Sequence, residues 1–155
     1  MKLNSDDLLL YLVTDRRWLK DQTLSEVVEQ ALKENVTFIQ LREKGLSDNK
    51  FKALAVDIKK IANRYKVPFV INDNIKVAME VDADGVHIGQ GDIEASKARK
   101  ILGEDKIVGV SVNSVIQAKE AEAARADYLG IGAVFSTDSK LDTTGVEVVL
   151  GELGN

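Results

Sequence analysis

Six short runs rich in apolar and β-branched residues punctuate the chain, at 8–14, 37–41, 68–72, 85–89, 107–112 and 128–132. Most lack a clean polar alternation. That pattern predicts strands buried on both faces, as in a parallel sheet flanked by helices. The stretches between them carry helical spacing. Leu24, Val27, Val28, Ala31 and Leu32 form one stripe, opened by Thr23 with Glu26 three residues on, a capping-box pair. Phe51, Leu54, Ala55, Ile58, Ile61 and Ala62 form a second, opened by Ser47 or Asp48 and stopped before Pro68. Shorter helices are expected at 75–81, 93–102 and 114–124.

Strand and helix alternating in this order imply parallel pairing through right-handed crossovers. An open doubly wound sheet normally carries a glycine-rich phosphate loop after its first strand, and Val13-Thr14-Asp15-Arg16-Arg17-Trp18 has no glycine. A (β/α)8 TIM barrel instead spreads functional groups over the carboxyl ends of many strands, and fits better. The expectation is a single α/β barrel domain over 1–155 in which about six of eight βα units are visible. Residues 145–153 can supply a helix or a frayed strand, not two further units.

Composition narrows the chemistry. A chain of 155 residues, 45% apolar and 30% charged, suits one packed domain with no linker. The formal charge of −4 has the wrong sign for a nucleic-acid or anionic-membrane binder, so any phosphate affinity is local. With no cysteine, thiolate nucleophiles and thiolate metal sites are excluded, and metals held by oxygen remain open. No apolar run reaches membrane-spanning length, and the acidic start lacks the basic region of a secretory leader. A cytoplasmic location is expected.

Polar residues collect at the predicted strand ends. Gln40, Arg42 and Lys44 share one side of an extended segment with Phe38, so if Phe38 points into a barrel all three rim its mouth and can grip a phosphate. The competing reading is a solvated charged turn. The third run ends in Asn72-Asp73 and the fourth is followed by Gln90-Gly91-Asp92. Adjacent strands lie roughly 4.8 Å apart, so two such carboxylates can converge on Mg2+, which keeps part of its water shell. Each could instead cap the following helix. Their coincidence beside Arg42 and Lys44 favours the metal. His87, the only histidine, reads as a hydrogen-bonded core residue. Ser111 has no base nearby in sequence and suits a phosphate hydrogen bond better than nucleophilic attack. Gly130 and Gly132, on one face of the sixth run, leave space for a ligand. Trp18 and Tyr128 are expected to be buried.

Tyr11-Leu12-Val13-Thr14-Asp15, Gln40-Leu41-Arg42-Glu43-Lys44, Ile71-Asn72-Asp73, Gly85-Val86-His87-Ile88-Gly89-Gln90-Gly91-Asp92, Gly109-Val110-Ser111 and Gly130-Ile131-Gly132-Ala133-Val134-Phe135-Ser136-Thr137-Asp138-Ser139-Lys140 together closely resemble the thiamine-phosphate synthase family. The order and spacing of six motifs carry the resemblance, from about Leu10 to Lys140. It implies a transferase of thiamine biosynthesis on a (β/α)8 barrel, joining hydroxymethylpyrimidine diphosphate to thiazole phosphate with release of diphosphate. It further implies that Gln40, Leu41, Arg42, Glu43, Lys44 and Asn72 bind the pyrimidine diphosphate, and that Asp73 and Asp92 hold Mg2+. By the same resemblance Ser111 and Lys140 contact the diphosphate side, and Thr137, Asp138 and Ser139 meet the thiazole phosphate. Arg42, Lys44 and Lys140 are the expected catalytic cations.

Nothing after Lys140 matches the family's seventh and eighth strands. Two other readings follow: a thiazole tautomerase of the same superfamily, or a non-catalytic phosphate-binding barrel fragment. Retention of Asp73, Asp92, Arg42 and Lys44 favours the synthase over the tautomerase. Open barrel edges would also promote self-association of such a chain.

Overall fold

The computed structural model describes residues 3–132. Strands β1 (Tyr11–Val13), β2 (Phe38–Leu41), β3 (Phe69–Asn72), β4 (Gly85–Ile88), β5 (Ile107–Val112) and β6 (Tyr128–Ile131) form one sheet. Their spatial order is β1-β2-β3-β4-β5-β6, and every pair is parallel. Helices α1 (Leu24–Lys33), α2 (Asp48–Tyr65), α3 (Ile75–Glu80), α4 (Ala95–Leu102) and α5 (Val115–Ala123) make the crossovers. The α/β class and the six-stranded parallel sheet therefore agree with the periodicity. Residues 145–153 lie outside the described residues, as do Thr137, Asp138, Ser139 and Lys140. Among the described residues no helix is long and apolar enough to cross a membrane.

Boundaries follow local chemistry. The first half of run 8–14 is not strand. Asn4 accepts from the Asp6 and Asp7 N–H groups, and Asp7 answers the Asn4 N–H, so a capping box turns Ser5–Leu8 into a 3-10 helix. The Thr23/Glu26 box opens α1 as expected. Asp48 is the first residue of α2 and Ser47 precedes it as the cap position.

Alternate strand residues face two different cores. Ile39, Leu41, Ile71, Val86, Val108 and Val110 pack under the helices together with Val28, Ala55 and Ile58. Phe38, Val70, Ile107 and Tyr128 gather on the other face, covered by Leu3, Leu8 and Tyr11. Each fully buried Ile or Phe contributes roughly 1.5–3 kcal/mol. The inner face turns polar towards the carboxyl ends, through Gln40, Asn72, His87 and Ser111. Gly85 sits on that face against the Ile107 backbone, where a Cβ would overlap the Ile107 carbonyl.

At the amino ends one device recurs in every other strand pair, β1–β2, β3–β4 and β5–β6. Thr37 N–H donates to the Leu10 carbonyl at 2.9 Å, and Leu10 N–H donates to Thr37 Oγ1 at 2.8 Å. Asp84 N–H donates to Phe69 O at 2.9 Å while Phe69 N–H donates to Asp84 Oδ2 at 2.8 Å. Asp127 N–H donates to Val108 O at 2.8 Å while Val108 N–H donates to Asp127 Oδ2 at 2.7 Å. Upstream of each clamp a left-handed residue, Asn35, Asp82 or Arg125, ends the helix. Asp127 has a second duty, accepting from Arg99 Nη2 at 2.6 Å. Buried Arg99 also donates to the Gly103, Lys106 and Arg125 carbonyls, binding α4 to the following strands.

These clamps differ in what they leave behind when cut. Asp84→Ala orphans one strand N–H, a loss of about 1–2 kcal/mol. Asp127→Ala also strips a buried guanidinium of its counter-ion, for about 3 kcal/mol in total. Urea unfolding of the two variants should rank Asp127→Ala below Asp84→Ala, and both below the parent.

Candidate active site

Parallel strands put all their carboxyl ends on one rim, and the polar inner-face residues lead up to it. Past β3, Asp73 adopts a left-handed backbone (φ 62°) and its N–H donates to the His87 carbonyl at 2.8 Å. The cap of α3 is the next residue: Asn74 Oδ1 accepts from Val77 N–H at 2.9 Å. Asp73 is thus released from capping. Past β4, Asp92 Oδ2 accepts from Gly89 N–H at 2.7 Å, folding the loop back on itself, and α4 takes Glu94 as its cap position. The capping alternative fails for both aspartates.

The two carboxyl groups meet within hydrogen-bonding reach. The Asp73 carboxyl is pushed up to about 6, first by partial burial, then by its hydrogen bond to Asp92 and that neighbour's charge, against the pull of Lys44. Asp73 as a whole residue is exposed; it is the carboxyl end that the strand rim crowds. Two carboxylates this close need a proton or a cation between them. Among the described residues no cluster of three or more acidic or imidazole side chains occurs, so the pair stands without a third protein ligand. A two-carboxylate donor set with open access fits Mg2+, which takes its other ligands from water and phosphate.

In the 40–44 segment Gln40 and Leu41 alternate between the two faces, while Arg42 borders a cavity lined by Leu24, Val27 and Val28 on the α1 side. Gln40 lies on the inner face and Leu41 is buried in the helix-side core. Arg42 N–H donates to Thr14 Oγ1 at 3.0 Å, fastening the end of β2 to that of β1. Glu43 turns away and accepts from Arg16 Nε at 2.7 Å, with its side chain 2% exposed. Lys44 lies on the Asp73 side, exposed. The structure thus brings Lys44, Asp73 and Asp92 together, leaves the Leu41 and Glu43 side chains directed elsewhere, and sets Asn72 on the inner wall beside Asp73.

Below the rim runs a polar chain across five strands. Gln40 Nε2 donates to Tyr11 Oη at 2.7 Å, and the Tyr11 and Tyr128 hydroxyls lie 2.6 Å apart. Tyr128 Oη lies 3.0 Å from His87 Nδ1, and His87 Nε2 lies 2.8 Å from Ser111 Oγ. His87 is buried and hydrogen-bonded, as expected. Gly109 makes room for the Tyr128 ring, which a Cβ there would overlap, and a Cβ at Gly130 would press to 3.0 Å from the His87 ring. Sequence reasoning missed Tyr11 and Tyr128 as members of the site; Gly109 and Gly130, facing inward on adjacent strands, were the available signal. Trp18 corrects its own expectation: it is 69% exposed, because its short 3-10 turn (Arg16–Trp18) is capped by Asp15 on the surface.

Comparison with known proteins agrees with this fold. A sequence model of the family described as thiamine monophosphate synthase matches residues 10–150. The thiamine-phosphate synthase of Clostridium acetobutylicum is 50% identical over 149 residues, covering 96% of this chain and 70% of the relative. That of Clostridium tetani is 47% identical over 150 residues, covering 96% and 72%. The solved thiamine phosphate pyrophosphorylase from Pyrococcus furiosus superposes with a TM-score of 0.79 at 39% identity, covering 86% of this chain and 64% of that one. The chain therefore spans about seven tenths of these curated relatives and just under two thirds of the solved structure. With the family model matched over residues 10–150, about half the residues identical to these curated relatives and the fold shared, the chain belongs to the thiamine-phosphate synthase family, transferases of thiamine biosynthesis.

Proposed function

We propose that the rim binds hydroxymethylpyrimidine diphosphate with Mg2+ and passes the pyrimidine methylene to the nitrogen of a thiazole phosphate, releasing diphosphate. The observation that carries this reading is the meeting of the Asp73 and Asp92 carboxylates beside Lys44 at the ends of neighbouring strands. Mg2+ held by the two would neutralise charge on the diphosphate. The same proposal includes closure of the sheet into an eight-stranded barrel as one domain, and a cytoplasmic setting suited to phosphorylated substrates.

In the reaction the bond between the pyrimidine methylene carbon and the diphosphate oxygen breaks, its electron pair leaving with diphosphate. The thiazole nitrogen then supplies the pair for the new C–N bond. Arg42 offers a planar fork and Lys44 a point charge to the leaving group, stabilising it as its charge grows. Gln40 and Asn72, fixed on the inner wall, orient the pyrimidine. Ser111 and Lys140 serve the diphosphate, and Thr137, Asp138 and Ser139 the thiazole phosphate; these last four lie outside the described residues. Leu41 and Glu43 contribute through their backbone and by setting the alternation. No step needs a general base.

Two measurements test the proposal. Arg42→Lys keeps the charge and loses the fork, so calorimetric affinity for Mg2+-diphosphate should fall about tenfold, the worth of one charge-assisted hydrogen bond. Affinity equal to the parent's would remove Arg42 from the site. Asp92→Asn should abolish the Mg2+ dependence of that binding yet leave the metal-free fold as stable or more so at neutral pH, since its amide oxygen still accepts from Gly89 N–H. The sign follows from Asp73: a carboxyl raised in the folded state costs stability as pH climbs from the ordinary carboxylate range through about 6, and the variant is spared the share of that cost owed to Asp92, though not the share owed to burial. Melting temperatures of parent and variant should therefore lie closer together at pH 5 than at pH 7.5.

A further inference from the structure

We infer that Tyr128 is a positioning residue: its hydroxyl orders a one-way hydrogen-bond chain that holds His87 with its proton on Nε2 and turns the Ser111 hydroxyl proton outward to the rim. What that proton meets, the diphosphate, rests on the function proposed above.

The ordering follows from counting protons. Gln40 Nε2 carries only hydrogens, so it is the donor to Tyr11 Oη at 2.7 Å. Either hydroxyl of the Tyr11–Tyr128 pair, 2.6 Å apart, can donate; with Gln40 already donating to Tyr11, the order in which Tyr11 gives its proton to Tyr128 is the one that supplies every proton along the chain with an acceptor. Tyr128 in turn has one proton to give, and His87 Nδ1 lies 3.0 Å away. An accepting Nδ1 leaves the ring proton on Nε2, which donates to Ser111 Oγ at 2.8 Å. Ser111 then accepts within the chain, and its own proton is directed out of it. Gly130 lies alongside, its missing Cβ 3.8 Å from Ser111 Oγ, so no side chain of β6 blocks that direction.

The chain works only while both phenols keep their protons. Burial holds them there: the Tyr11 hydroxyl is pushed up to about 12 and the Tyr128 hydroxyl well above its usual value. Packing, not hydrogen bonding, sets where the Tyr128 hydroxyl sits. Its ring stands edge-on to Tyr11 and Phe38 at centroid distances of 5.7 and 5.6 Å and fills the space over Gly109. Removing the oxygen alone therefore leaves the ring in place and isolates the effect on direction.

Because His87 is the only histidine, nitrogen-15 spectra of the imidazole report this one ring. The 155-residue parent should show Nε2 protonated and Nδ1 bare. Tyr128→Phe should give a mixture of the two forms, and Gln40→Glu, whose carboxylate can only accept, should reverse the chain and move the proton to Nδ1. A parent with the proton on Nδ1, or an Nε2 form unchanged in both variants with native far-ultraviolet circular dichroism, overturns the inference. With Mg2+ and inorganic diphosphate as the probe, Tyr128→Phe and Ser111→Ala should each weaken calorimetric binding about fivefold, one hydrogen bond's worth, and the double variant no further. Ser111→Ala binding as tightly as the parent overturns the outward-proton part. A parent that binds no diphosphate sinks the proposed function instead, while the imidazole spectra still decide the order of the chain.

Discussion

Six parallel strands, each paired with its sequence neighbour, impose a polarity that everything else obeys. Carboxyl ends share one rim, so residues far apart in the chain, Lys44, Asp73 and Asp92, become neighbours without any of them being placed individually. Amino ends share the other rim, and there the chain does its fastening, through Thr37, Asp84, Asp127 and the Arg99 guanidinium. Between the rims the inner face changes character along its length, from Phe38, Val70 and Ile107 to Gln40, His87 and Ser111. A substrate approaching from the carboxyl side meets hydrogen-bonding groups standing on an apolar floor.

Charge on the functional rim is balanced locally and left incomplete. Glu43 is satisfied by Arg16, and Asp15 by Arg17, which holds the Asp15 carboxyl down to about 2. Asp73 is satisfied only partly, since burial and the neighbouring Asp92 carboxyl both raise the cost of ionising it. The partly exposed Asp15–Arg17 pair contributes little to stability, whereas the buried Glu43 carboxylate depends on Arg16 for its counter-charge. The crowding at Asp73 is the sort of frustration a phosphate-bound divalent ion relieves.

How much of this could be read from the residues alone depends on the range of the interaction. Strand and helix positions came through because burial periodicity is local: five of the six strands lie within a residue or two of the apolar runs. The exception, 8–14, shows a short-range competitor winning, the Asn4 capping box that bends Ser5–Leu8 into a helical turn. The approach of Lys44, Asp73 and Asp92 was legible since strand ends in a parallel sheet converge by topology. Neither Tyr11–Tyr128 nor Arg99–Asp127 was legible. Each depends on a vacancy or a counter-charge supplied by a distant element, Gly109 for the one and a partly open aspartate for the other. The doubled pattern Ala-Asp ahead of β4 and β6 was visible, yet its meaning as a strand clamp needs the neighbouring strand's N–H.

The separation of the two rims has a consequence for how such a chain can change over generations. Groups that hold the strands together and groups that meet the ligand are drawn from opposite ends of the same short strands, with a layer of Phe38, Val70 and Ile107 between them. A substitution among the loops after the strands can alter chemistry without loosening a clamp. The architecture thus tolerates drift in specificity while its foldability stays under separate selection.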